Sequence, residues 1–79
     1  MYTTYVMQSK TFQIRYVGST SNLEKRMAAH NNGFSKYTKG RGPWALVYKE
    51  TFPTRSEAML RELYFKTGKG RAFIDTKIK

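Results

Sequence analysis

The sequence has 79 residues, room for one domain with a small core, since chains near 60 residues bury only about 60% of their unfolded surface. Lys and Arg total 15 against 5 Asp and Glu, a formal charge of +10 that favours nucleic acid as partner, and 39% hydrophobic content excludes a disordered basic tail. Zero Cys and one His exclude a disulfide framework and a thiolate or His-only zinc site. From the length of the chain we expect one domain over residues 1–79.

Two short runs rich in Thr, Tyr, Val, Ile and Phe open the chain, at residues 3–8 and 12–18. The polar link between them is short, which predicts a β-hairpin. By the two-residue period of a strand, Phe12, Ile14, Tyr16 and Gly18 share one face. Tyr16 therefore stands in line with core residues.

The next segment predicts a helix that opens with a capping box, Ser21 with Glu24, and stops after about ten residues at the Asn-Asn-Gly sequence 31–33. On a helical wheel His30 falls on the apolar stripe and Arg26 on its edge. That placement alone also fits a packed core histidine beside a solvated charge.

Residues 34–43 predict a basic, glycine-punctuated loop, and residues 44–50 a third strand. A second capping box, Thr54 with Glu57, opens a helix that we expect to run to Thr67.

We expect Gly68 to end the second helix and residues 71–78 to form a short last helix. The element order is then ββαβαα. This order predicts an α+β fold in which helices flank a small three-stranded sheet, antiparallel or mixed.

Glu62 lies between two apolar neighbours of the second helix, Ala58 and Phe65, at the spacing of one helix face. A carboxylate there needs a partner. The structural explanation is an ion pair, either with Lys66 one turn on or with Arg26 across the domain.

The order and joint spacing of five polar side chains resemble the GIY-YIG nuclease domain, found in homing endonucleases and in the excision-repair incision nuclease. The resemblance covers essentially the whole chain and extends, as in small stand-alone bacterial members, to residues 39–44, 54–58 and 66–71. Thr3-Thr4 stands where the family name has Gly-Ile, and Ser19 where some members have lysine. The residues that carry the resemblance are Tyr5, Tyr16-Val17-Gly18, Arg26, His30 and Glu62.

The resemblance implies a metal-dependent endonuclease that hydrolyses DNA phosphodiester bonds with low or structure-based specificity. Tyr5 or Tyr16 would take the proton of the attacking water, provided that a cation brings its pKa from about 10 to about 8. Arg26 would stabilise charge on the phosphoryl oxygens, and His30 would orient the phosphate or donate to it. Glu62 would be the only protein ligand of Mg²⁺ or Mn²⁺. We expect these five residues to converge on one concave surface.

A second set of residues predicts contacts to nucleic acid. They are basic side chains with one interleaved tyrosine, expected to hold phosphates without reading sequence, so that specificity comes from DNA structure or from a partner protein. The set comprises Lys36, Tyr37, Lys39, Arg41, Lys66, Lys69 and Arg71.

Two further expectations complete the interpretation. No apolar run approaches the roughly 18 residues of a membrane span, and Met1 leads directly into a strand pattern, so we expect a cytoplasmic location. The alternative function is a basic nucleic-acid-binding module on a nuclease scaffold that is weakly active or inactive on its own.

Overall fold

The computed structural model describes residues 1–33 and 39–78 of the chain. Within these ranges three strands and three helices follow one another in the order ββαβαα, which confirms the predicted α+β class. The elements are β1 (Tyr2–Ser9), β2 (Arg15–Thr20), α1 (Leu23–Asn31), β3 (Trp44–Phe52), α2 (Arg55–Phe65) and α3 (Gly68–Lys77). No helix in the described ranges combines the length and apolar character needed to cross a bilayer.

The three strands form one antiparallel sheet in the order β2-β1-β3. The central strand β1 is therefore covered on both edges, and its residues from Thr4 to Met7 are fully buried. The two outer strands, β2 and β3, each pair with β1 along one edge only. Side chains alternate across the sheet, so Tyr5 and Met7 face one side while Thr4 and Val6 face the other.

Each face of the sheet has its own apolar cluster and its own helices. Tyr5, Met7 and Trp44 pack with side chains of β2 and α1. On the opposite face Val6 packs with Phe65 of α2 and Ile74 of α3. The molecule thus has three layers, with α1 on the Tyr5 face and the α2–α3 pair on the Val6 face.

The first turn differs from its prediction. Phe12 was expected on the buried face of the second strand but is 56% exposed. Gln13 adopts a φ of 59°, which breaks the extended backbone and delays the start of β2 to Arg15. Ile14 still packs against the Tyr5 cluster.

Two helix boundaries also need correction. The side chain of Asn22, rather than Ser21, caps α1 by accepting from the backbone N–H of Lys25 at 3.1 Å. Gly68 does not end α2, which already ends at Phe65, but is the first residue of α3.

The caps of α2 and α3 explain why Gly68 begins a helix. Thr54 caps α2 as predicted, accepting from Glu57 N–H at 3.3 Å. Thr67 likewise caps α3, accepting from Gly70 N–H at 3.1 Å. Thr67 therefore caps the start of α3 although Gly68 and Gly70 follow it. The sequence predicts instead that Gly68 ends α2.

Candidate active site

Tyr5 lies at the centre of the polar cluster on the α1 face. Its side chain is fully buried in the central strand. Its hydroxyl lies 3.0 Å from Nε2 of His30, and Nε of Arg26 donates to the same hydroxyl over 3.4 Å. Arg26 and His30 stand one helical turn apart on α1, which lets both reach one phenol. Three of the five predicted residues therefore meet at one oxygen atom.

Tyr16 joins this group from the edge strand β2. It pairs with Met7 in the β1–β2 register, so its ring lies on the same face of the sheet as Tyr5. The centroid of its ring is 6.4 Å from that of Tyr5 and 5.0 Å from that of His30. Tyr16 also contributes, after Tyr5, to the raised pKa of the Arg26 guanidinium, so the second phenol lies near the same charge. Four predicted residues are thus in mutual contact, and Tyr16 is only half-buried.

Gly18 makes room for the two phenols. It stands opposite Tyr5 in the register, and a Cβ atom added to it would lie 2.6 Å from the Tyr5 hydroxyl oxygen and 3.1 Å from a ring carbon of Tyr16. Any larger residue would have to displace the phenol. The sequence interpretation placed Gly18 on the tyrosine face without giving it a function. The signal was a glycine inside a strand, which often marks a close approach.

Burial and the Arg26 charge have opposite effects on Tyr5. Burial raises the pKa of Tyr5 above its ordinary value, and the hydrogen bond from Arg26 offsets this only in part. Arg26 thus lowers the pKa of Tyr5 as expected of a neighbouring cation, but burial outweighs it and the net shift is upward. Hydrogen bonding to Tyr5 in turn raises the pKa of the Arg26 guanidinium.

His30 is 1% exposed, and its burial, followed by the Arg26 charge, lowers the pKa of the imidazole. The ring is therefore neutral at pH 7. Because Nε of Arg26 can only donate, the Tyr5 oxygen accepts from it. The direction of the Tyr5–His30 hydrogen bond depends on which ring nitrogen of His30 carries the proton.

Glu62 comes from the other helical layer. Ser19 donates to its Oε1 at 2.9 Å, and Lys66 Nζ lies 2.9 Å from its Oε2. Ser19 opposes Thr4 in the register and so faces α2 rather than α1. The Glu62 carboxylate thus reaches the β2 edge from the face opposite Arg26. Its charge still contributes to the raised pKa of Tyr5.

The convergence of all five residues on one concave surface stays a prediction: four of them are in direct contact, whereas the Glu62 carboxylate is held by Ser19 and Lys66 on the α2 side of the sheet. Glu62 is connected to the others through the backbone of β2, where Ser19 follows Gly18. Of the two ion-pair partners predicted for Glu62, Lys66 and Arg26, the structure shows Lys66. The contact of Ser19 with Glu62 does not follow from the sequence, because it depends on which face of the sheet α2 covers.

The donor set at Glu62 suits a hard divalent cation with few protein ligands. The described residues contain no group of three or more His, Cys, Asp or Glu side chains that could hold a metal ion. One half-buried carboxylate with a serine hydroxyl beside it offers oxygen atoms only. Such a site fits Mg²⁺ or Mn²⁺, which keep several waters and take further oxygens from a phosphate.

The predicted nucleic-acid contacts fall into two groups. Lys39 and Arg41 are exposed in the segment before β3, where the Arg41 carbonyl accepts from Ser9 at 2.5 Å. Lys66, Lys69 and Arg71 are exposed where α2 ends and α3 begins. The remaining two predicted residues, Lys36 and Tyr37, lie outside the described residues.

Comparison with known protein families identifies the family of the chain. The GIY-YIG catalytic domain matches residues 1–75. The chain belongs to the GIY-YIG family. The match includes Tyr5, Gly18 and Glu62 and runs through most of α3.

Similar chains include bacterial proteins of the UPF0213 group. A UPF0213 protein of Clostridium perfringens is 52% identical over 63 residues, which are 78% of this chain and 67% of that protein. A UPF0213 protein of Staphylococcus haemolyticus is 48% identical over 64 residues, 80% of this chain and 77% of that protein. The solution NMR structure of a UPF0213 protein from Bacillus halodurans superposes with a TM-score of 0.57 at 31% identity, covering 96% of this chain and 84% of that one.

Proposed function

We propose that this GIY-YIG protein is a divalent-metal-dependent endonuclease that hydrolyses phosphodiester bonds of DNA with low or structure-based specificity. The observation that carries the proposal is the hydrogen-bonded group of Tyr5, His30 and Arg26, with Tyr16 beside it. A surface that only binds phosphates needs exposed cations. It does not need a buried phenol held between an imidazole and a guanidinium, a network that is costly unless fully satisfied.

Tyr16 is the proposed acceptor of the proton of the attacking water. Its ring is half-buried, whereas Tyr5 is fully buried with its hydroxyl already engaged by two partners. A general base must come within hydrogen-bond reach of the water, so the more accessible phenol suits this role better. Arg26 places a permanent positive charge beside it.

Arg26 is the proposed stabiliser of the charge that develops on the phosphoryl oxygens. Its Nε is held by Tyr5, and the residue as a whole is exposed. A guanidinium carries five N–H donors in a fixed fork, so donors remain for a phosphate after Tyr5 and Tyr16 are satisfied. The buried His30 favours an orienting role, because it holds the Tyr5 hydroxyl that in turn holds Arg26.

Glu62 is the proposed anchor for Mg²⁺ or Mn²⁺, with Ser19 holding one of its oxygens in place. When bound, the metal neutralises charge on the phosphate and makes a water more acidic. A metal at Glu62 would have to displace Lys66, whose Nζ lies 2.9 Å from Oε2, or share the carboxylate with it. The weak site should fill mainly when DNA supplies phosphate oxygens.

A plasmid-nicking assay with three tyrosine variants tests this assignment. Tyr16→Phe and Tyr5→Phe each remove one hydroxyl and keep the ring, and Tyr64→Phe makes the same change on α2 as a control. We expect Tyr16→Phe to lower the nicking rate by about 10² to 10⁴, the usual contribution of a general base. Tyr5→Phe should also lower it by releasing Arg26, and Tyr64→Phe should match wild type.

Two results would count against the proposal. Nicking by Tyr16→Phe at the wild-type rate would remove Tyr16 from the chemistry. Absence of nicking by the wild-type protein with Mg²⁺ or Mn²⁺ on any DNA structure tried, with binding retained, would favour the inactive binding module.

A further inference from the structure

A groove of about 730 Å³ lies on the side of the sheet covered by α2 and α3 and reaches the edge strand β2. Its lining includes Val6 and Gln8 of the central strand, residues 13–17, the end of α2 and α3. Val6 and Gln8 pair with Val17 and Arg15, so these four residues share the face that α2 and α3 cover. Tyr16 belongs to the opposite face, so a lining that includes it reaches around the outer edge of β2.

The β2 edge offers a main-chain recognition surface. The sheet order places β1 on one side of β2, and among the described residues no strand lies on the other. The outer edge of such a strand presents N–H and C=O groups in alternation, which is the template for adding another strand. An edge strand beside a helix is also how PDZ and PTB domains bind extended peptides.

The side chains along the groove indicate the chemistry of the added strand. Val17 and Ile74 give it an apolar floor, while Arg15, Lys66 and Arg71 contribute positive charge. The acidic residue in the lining is Asp75, which pairs with Arg15 at 2.5 Å. Alternating apolar and acidic side chains would complement this surface.

We infer that the groove between β2 and α3 binds an acidic, extended segment of a partner protein as a fourth strand of the sheet. A nucleic acid strand fits less well, since its phosphates are acceptors only and cannot satisfy the carbonyl groups of the edge. A second copy of the chain would bring a further charge of +10. At about 3.3 Å per residue, the six residues of β2, Arg15–Thr20, accommodate about six residues of the partner.

An eight-residue peptide of alternating Glu and Val, blocked at both ends, is the probe. Titrated into the ¹⁵N-labelled protein without metal, it should shift the amide resonances of residues 13–17 most. Two N-methylated versions separate strand addition from charge attraction, because each blocks the N–H groups on one edge of the peptide. Methylation of the edge that faces β2 should weaken binding at least tenfold, and methylation of the other edge at most about threefold.

Variants of the protein test the charges of the groove. Arg71→Gln should weaken peptide binding several-fold, and Lys49→Gln, the same loss of charge on the other edge strand β3, should weaken it clearly less. Asp75→Asn should strengthen binding, since it frees Arg15 for a peptide carboxylate.

Three outcomes would overturn the inference. They are equal affinities for the two methylated peptides, no saturation at millimolar peptide, and displacement of the peptide by a five-nucleotide single strand that binds more tightly and shifts the same amides. The last would assign the groove to nucleic acid. None of these measurements involves cleavage, so the result is independent of the nuclease proposal.

Discussion

Because Gly18 has no Cβ atom, the Tyr5 hydroxyl can lie within hydrogen-bond distance of both Arg26 and His30.

Some side-chain positions could be predicted from the periodicity of the sequence, and others could not. The inward positions of Tyr16 and His30 follow from two-residue and 3.6-residue periods, and both are found as predicted. The contact of Ser19 with Glu62 could not be predicted, because it depends on the face of the sheet that α2 covers.

Gly18→Ala should therefore damage the cluster without touching any polar group. The new Cβ would lie 2.6 Å from the Tyr5 oxygen, so the phenol must move and its bonds to His30 and Arg26 lengthen. We expect a loss of about 1 to 3 kcal/mol in the free energy of unfolding, the usual cost of overpacking. Urea denaturation measures it, and nicking should fall in parallel.

Gly68→Ala is the matched control, since a Cβ there meets nothing within 4 Å. It should be neutral or slightly stabilising at the start of α3. Equal stability of Gly18→Ala and Gly68→Ala would show that the close approach at Gly18 does not constrain Tyr5.

His30 predicts a pH dependence of stability. Its folded-state pKa is lowered by burial, so the unfolded chain binds this proton at higher pH than the folded one. Stability from the neutral imidazole is fully present above about pH 6.5 and is lost as pH falls toward the folded pKa. One proton limits the slope to about 1.4 kcal/mol per pH unit.

Urea denaturation of wild type and His30→Gln between pH 7.5 and 5.5 measures this effect. The variant should be less stable at pH 7.5 but should lose less stability on acidification. Parallel pH profiles for the two proteins would mean that His30 is not held neutral by its surroundings.

At the scale of elements, local patterns located the strands and helices of the described residues but misplaced some of their ends. The prediction that Thr54 caps α2 is confirmed, because its side chain accepts from the backbone N–H of Glu57. Ser21 and Asn22 are both good caps one residue apart, and the choice depends on how the chain leaves β2. Gly68 was misassigned because a glycine that follows a helix resembles a C-terminal stop, whereas Thr67 makes it the first residue of α3.

The cap of α1 can be tested by single substitutions. Asn22→Ala should cost about 1 kcal/mol in the free energy of unfolding, because the Lys25 N–H loses its acceptor. Ser21→Ala, one residue earlier, should cost close to nothing. Thermal or urea denaturation of both variants decides between them, and a larger loss for Ser21→Ala would restore the cap predicted from sequence.

At the scale of the whole molecule, size and charge limit how the protein can bind DNA. Its longest dimension is 30 Å, less than one turn of duplex at about 34 Å. A duplex carries one negative charge per about 1.7 Å of its axis, so 30 Å of duplex presents about 18 phosphate charges to a protein with a net charge of +10. Affinity should depend on counterion release, be similar for unrelated sequences, and fall steeply with salt.

Lys69→Gln should make that salt dependence shallower. Lys69 is exposed near the start of α3, and each phosphate contact contributes about −0.9 to the slope of log K against log salt on duplex DNA. Binding isotherms at several salt concentrations should give a slope reduced by about 0.9. Lys77→Gln, at the other end of α3 where Nζ lies 5.3 Å from the Phe73 ring centroid, is the control and should leave the slope unchanged.

A slope for Lys69→Gln equal to that of wild type would remove Lys69 from the DNA contacts. Preference for one duplex sequence that survives high salt would contradict the broader expectation, because contacts to phosphates alone carry no sequence information.

The central claim is that Glu62 anchors the metal of a nuclease, and one nicking assay tests it most directly. Glu62→Gln keeps the size of the side chain and an acceptor for Ser19 but removes the charge, and Glu57→Gln changes an exposed carboxylate on the same helix as a control. With Mg²⁺ or Mn²⁺ and supercoiled plasmid, we expect wild type and Glu57→Gln to nick and Glu62→Gln not to. DNA binding by Glu62→Gln should be intact or slightly tighter, since a negative charge is lost. Nicking by purified Glu62→Gln at the wild-type rate would contradict the account.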